Sequence, residues 1–105
     1  MIVRIVRMEF RPEAVAEFHA IFEASKSHIR SFPGCTHLEL HQDAQFPNVR
    51  WTYSHWEAQD RLDAYRQSEL FGQVWPQTKA LFAAKPQAFS LVLMETVSGE
   101  SLHQG

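Results

Sequence analysis

Apolar residues recur in two rhythms that alternate along this chain. From residue 2 to residue 9 they fall on both sides of a two-residue repeat, which predicts a strand: Ile2, Val6 and Met8 share one face and Val3 and Ile5 the other, with Arg4 and Arg7 interrupting. Pro12 then suits the first turn of a helix and Glu13 its positive end, and Val15, Phe18, Ile21, Phe22 and Ile29 repeat at helical spacing up to Phe32. Pro33-Gly34 stops that helix. Strands are predicted over 35–42 and 49–56, joined by a loop containing Phe46-Pro47-Asn48. In the second of these, Val49, Trp51, Tyr53 and His55 lie on one face and Arg50, Thr52, Ser54 and Trp56 on the other. A short helix with Ala58, Leu62 and Tyr65 on its apolar side comes next. Ser68 caps a third, which turns Leu70, Phe71, Val74, Trp75, Thr78, Leu81 and Phe82 inward and is kinked or restarted at Pro76. Pro86 ends it, and a last strand, Ala88 to Glu95, is apolar on both faces.

The order β-α-β-β-α-β predicts an α+β fold of the ferredoxin-like type, with helices on one face of a four-stranded antiparallel sheet. Residues 2–8 and 88–94 are apolar on both faces, so the face away from the helices needs a cover. A second copy of the same sheet covers both subunits at once, and a homodimer is expected. At 105 residues the chain forms one domain, over 1–97, followed by a tail, 98–105, containing His103 and expected to be disordered.

Composition narrows the partners. With 45% hydrophobic and 21% charged residues the chain has the makeup of a folded domain rather than a disordered one. A net charge of −2 and the absence of any Lys/Arg run argue against a nucleic-acid partner. The longest strongly apolar run, Leu91 to Met94, is far short of the ~20 residues that span a bilayer, so no membrane association is expected and the default location is cytoplasmic. Cys35 is the only cysteine, which excludes an intrachain disulfide, and beside Pro33-Gly34 at a strand start it reads as a small core residue.

Two groups of side chains carry candidate chemistry. Three tryptophans, two tyrosines and eight phenylalanines exceed what a small core requires. The phenylalanines at helical spacing read as core, whereas Trp56, Tyr65 and Trp75 are placed to converge between helices and sheet as the walls of a pocket for a flat ligand. Histidines supply the second group. His37, Glu39 and His41 alternate on one predicted face, a legitimate ligand set for a divalent metal, but the motif is short and reads better as a polar strip facing solvent or a second subunit; no metal is expected. The chain has no nucleophile elbow, phosphate-cradling loop or dinucleotide fingerprint, so nucleotide cofactors are not expected.

The proline-glycine-cysteine strand start at Pro33-Gly34-Cys35, the loop with Asp43 and Pro47-Asn48, and the strand ending on Trp56-Glu57 resemble the antibiotic biosynthesis monooxygenase family, over roughly residues 1–97. The resemblance implies a dimeric α+β barrel, and oxidation of a quinol or another reduced aromatic by dioxygen with no cofactor, the substrate supplying the electrons. It places a proton acceptor at His37 or His55, Tyr65 as hydrogen-bond donor, Trp56, Trp75 and Trp51 against the ring, and Arg50 on an oxyanion if it faces the pocket. Two positions that the haem-degrading branch fills with tryptophan and a ligating histidine look like Tyr65 and Trp75 here, and the first strand lacks that branch's asparagine, so haem degradation is not implied. Two other readings stand beside this one: an isomerase or other acid–base enzyme on a small oxygenated metabolite, and a non-catalytic dimeric binder of hydrophobic metabolites.

Overall fold

β1 (Ile2–Glu9) runs through the middle of a four-stranded antiparallel sheet, with β3 (Val49–Trp56) on one side and β4 (Gln87–Val92) on the other. β2 (Cys35–Gln42) lies beyond β3 and forms the opposite edge. Three helices, α1 (Val15–Arg30), α2 (Gln59–Arg66) and α3 (Glu69–Lys79), complete the domain. The computed structural model describes residues 1–99. Most of the expected tail, including His103, therefore lies outside the described residues.

The register explains the two-sided apolar text. Val3 stands opposite both His55 and Leu91, and Ile5 opposite both Tyr53 and Phe89. These residues make up one face, while Val6, Met8, Thr52 and Ser54 point the other way, towards the helices. On the helix side Met8, Phe10, Ala14, Phe18 and Leu81 form a buried cluster. Phe10 is fully buried and stacks on Phe18 with centroids 4.3 Å apart; burying each such ring is worth about 1.5–3 kcal/mol. Ser25, buried on α1, satisfies its hydroxyl within the helix by donating to the Ile21 carbonyl at 2.8 Å.

A second cluster joins the strand ends to α2: Cys35, Trp56 and Leu62, with Phe32 and Tyr65 against them. Burial pushes the Cys35 thiol up, in keeping with a core residue rather than a reactive one. The turn that delivers Cys35 depends on Gly34, which has φ 94°; a Cβ there would come within 2.4 Å of the Arg61 side chain.

Several features differ from the sequence expectation: Pro12–Ala14 form a 3-10 turn ahead of α1, α1 ends at Arg30 short of Phe32, and α3 ends at Lys79, which leaves Leu81 and Phe82 beyond it. α3 runs unbroken through Pro76, after an N-cap in which Phe71 N–H donates to Ser68 Oγ at 3.2 Å. Proline removes a single helical bond there, and the rest of the ladder continues around it. β4 stops at Val92 rather than Glu95: Val92 already pairs with Ile2, the first residue of β1, and past it the Leu93 N–H makes a long bond to the Met1 carbonyl at 3.4 Å before the pairing ends. Phe89 and Leu91 are each 50% exposed on the face away from the helices. Among the described residues no helix is long and apolar enough to cross a membrane.

Candidate functional site

Helices α2 and α3 arch over the sheet without filling the space beneath them. A cavity of about 350 Å³ remains, bounded by β1 and β3 below, α1 on one side, and α2 and α3 above. Its walls carry a continuous series of rings. Trp56 stacks on Tyr65 (centroids 4.9 Å apart), Tyr65 meets Phe71 edge-on at 5.3 Å, and Phe71 stacks on Trp75 at 5.6 Å. Helical spacing accounts for the order, since Phe71 and Trp75 lie one turn apart on α3 and Tyr65 sits in the last turn of α2.

The polar groups of the lining are few. The Trp56 indole, 1% exposed, donates its N–H to Ser54 Oγ at 3.0 Å, so its polar tip is satisfied within the wall. Among the described residues the Tyr65 hydroxyl has no hydrogen-bond partner. Burial, with a smaller contribution from Cys35, raises its pKa to about 12, so it is a neutral donor at physiological pH. Thr52 and Ser54 add hydroxyls from β3, and Arg4 and Arg66 lie at the mouth. Among the described residues no histidine or carboxylate lines the cavity.

The residues singled out from the sequence thus fall into two groups on opposite sides of the sheet. Trp56, Tyr65 and Trp75 converge on the cavity. His37, His55 and Trp51 lie on the face away from the helices, where His37 pairs directly with His55 across β2 and β3. The two rings are 4.9 Å apart, and Tyr53 approaches His55 at 5.0 Å. Trp51 donates its indole N–H to Asp43 at 2.8 Å, which ties the β2–β3 loop to the sheet. Arg50 is on the helix side but outside the cavity lining. Its guanidinium donates to His19 Nε2 at 3.1 Å and to the Pro47 carbonyl at 2.7 Å, joining α1 to the loop before β3.

Glu39 sits between His37 and His41, one carboxylate oxygen bonded to each. Those bonds, His37 first and then His41, hold the Glu39 carboxyl below its usual range. Beside this strip, His55 Nε2 is buried and has no hydrogen-bond partner among the described residues. No group of His, Cys, Asp or Glu among the described residues is arranged to hold a metal ion. Sequence reasoning missed Arg4 and Arg66. Arg4 was legible by alternation, since it shares its face of β1 with Val6 and Met8; nothing local marks Arg66.

The family profile described as antibiotic biosynthesis monooxygenase matches residues 1–75. No curated protein matches the chain. Among solved structures, one described as an antibiotic biosynthesis monooxygenase superposes with a TM-score of 0.84 at 19% identity, covering 90% of this chain and 100% of its own. A protein of Mycobacterium tuberculosis superposes with a TM-score of 0.84 at 21% identity, covering 92% and 98%. A conserved protein of Methanosarcina mazei does so with a TM-score of 0.81 at 18% identity, covering 87% and 91%. At these identities the structural likeness establishes the fold alone. The profile match spans most of the chain, including the strand that ends on Trp56 and the helices that roof the cavity as far as Trp75, and the chain belongs to the antibiotic biosynthesis monooxygenase family.

Proposed function

We propose that this protein is a cofactor-free monooxygenase, acting as a homodimer, that oxidises a quinol or another reduced aromatic small molecule with dioxygen in the cavity beneath α2 and α3. The observation that carries this reading is the series of rings from Trp56 through Tyr65 and Phe71 to Trp75, with a neutral phenol hydroxyl left free among them. Ring faces of this kind hold a flat ligand in a defined orientation. The cavity volume of about 350 Å³ is near the lower end of the ~300–1,000 Å³ usual for small-molecule sites, which suits a small fused-ring compound.

The substrate supplies the electrons. Converting a ring methylene of the anthrone type to a carbonyl releases as many electrons as dioxygen takes up when one oxygen atom enters the product and the other leaves as water. Tyr65 donates a hydrogen bond to the ring oxygen and steadies the negative charge as the anion meets dioxygen. Trp56 and Trp75 hold the ring and keep bulk water from the intermediates. With no histidine or carboxylate among the described residues of the lining, the protein's task is to stabilise the anion, and the phenolic proton leaves to solvent at the mouth. The same lining weighs against an acid–base isomerase.

Oxygen uptake with a panel of hydroquinones and anthrones tests the proposal, with Tyr65→Phe alongside. Uptake no faster than the spontaneous reaction for every member of the panel would leave a binding protein and overturn the oxidative reading.

A further inference from the structure

We infer that Arg4 and Arg66 form an anion-holding pair at the mouth of the cavity, and that its ligand is a flat aromatic acid, a ring system bearing a carboxylate. The inference rests on reading the cavity as an aromatic site, and it specifies the class of molecule that site takes.

Arg4 projects from the helix side of β1, two residues before Val6, and Arg66 is the last residue of α2; both border the cavity. Among the described residues neither has an acidic partner. The chain is not short of carboxylates, with twelve Asp and Glu against ten Lys and Arg, and three of the other cations take one: Arg7 with Glu9, Arg11 with Glu13 and Lys26 with Glu23. Of the cations left without an acidic partner among the described residues, Arg4 and Arg66 are the two that border the cavity. Arg4 Nη1 donates to Ser90 Oγ at 2.9 Å, which steers the guanidinium while leaving its other donors unused. Burial and, after it, the neighbouring charge of Arg66 hold the Arg4 guanidinium below its usual range. Two cations held together at an apolar rim repel one another, and an anion between them removes that strain.

The geometry divides the ligand. Its ring lies among Trp56, Tyr65 and Trp75, and its charge comes out between the arginines. A carboxylate fits this division better than a ring hydroxyl does. It is ionised at neutral pH where a phenol is not, and its two oxygens match the donor fork of a guanidinium.

Calorimetric titration with 2-naphthoate and its uncharged methyl ester, at pH 7 and low salt, tests the inference. The acid is expected to bind about tenfold or more tightly than the ester, and added salt is expected to weaken the acid alone. Arg4→Gln and Arg66→Gln should each lower affinity for the acid and leave the ester unchanged, and Arg66→Lys should restore part of the preference. Arg66 is exposed at a helix end, so its variants test the pair even if the Arg4 substitution disturbs the sheet. Equal affinities for acid and ester, or a preference that survives both Gln substitutions, overturns the inference and leaves the aromatic cavity standing. Saturable binding of neither compound overturns the cavity reading and the inference with it.

Discussion

The phenol ring of Tyr65 lies on the indole of Trp56, centroids 4.9 Å apart and planes 25° from parallel, while the indole N–H turns away from it to Ser54 Oγ at 3.0 Å. One aromatic pair thus has its polar tips in different places. The tryptophan's donor is spent inside the wall, and the tyrosine's is free for a ligand.

Removing the free hydroxyl should therefore separate chemistry from stability. Tyr65→Phe keeps the stacked ring, and its melting transition is expected to stay within about 1 kcal/mol of wild type. Catalysed quinol oxidation should fall by at least about tenfold, the loss expected when a donor to a developing oxyanion is removed. An oxygen electrode and a thermal melt on the same preparation check both.

Trp56 should behave the opposite way. Trp56→Ala opens a cavity in a fully buried site and is expected to cost ~3–5 kcal/mol. Trp56→Phe keeps the ring, loses the bond to Ser54, and should cost about 1 kcal/mol with little change in ligand affinity. Trp75→Leu, which removes an accessible cavity wall, is expected to weaken binding of a flat aromatic by roughly tenfold. Melts and ligand titrations of the three variants supply the comparison.

The exposed apolar face bears on assembly. Phe89 and Leu91, each half exposed, flank the buried Val3 across β1 and β4. Light scattering is expected to give about 24 kDa, twice the 12.2 kDa of one chain. Leu91→Arg should shift that mass towards the monomer by placing a charge where two sheets would meet. A monodisperse 12.2 kDa wild-type species at micromolar concentration would remove the homodimer from the proposal.

Alkali offers a test of Tyr65's surroundings. Its pKa rises from 10.0 to about 12 on folding. A raised folded pKa gives stability that is fully present below the unfolded value and is lost as pH climbs through the folded one. Urea midpoints of wild type and Tyr65→Phe should accordingly run parallel up to about pH 10 and converge or cross between there and pH 12, wild type losing stability faster. Parallel curves throughout that window would mean the phenol is already solvated.

Much of this fold was legible because its signals are local. Pro33-Gly34 turns the chain from the end of α1 into β2 through a backbone angle that few residues other than glycine adopt, and the alternation from Val49 to Trp56 needs only pleat geometry. That same alternation separates His55 from Trp56, since successive residues of a strand point to opposite faces. Placing both against one ligand, as the family resemblance suggested, runs against the period. The unbroken course of α3 through Pro76 and the early end of β4 depend on packing and pairing partners far away in the sequence. Arg4 reads locally as a charge interrupting an apolar strand, and that it borders a cavity together with Arg66 of α2 emerges only once the two elements are packed.

β3 is a shared wall one backbone thick. Thr52, Ser54 and Trp56 face the cavity, and Trp51, Tyr53 and His55 face the side where a second copy would lie. Ligand and partner subunit would then read alternate residues of one ribbon, and thermodynamic reciprocity governs the result. By whatever factor association of two chains tightens or loosens the hold on a ligand, the ligand must change the association constant by the same factor. Substitutions at Tyr53 or His55 thereby become a means of adjusting binding in a cavity that those side chains never touch.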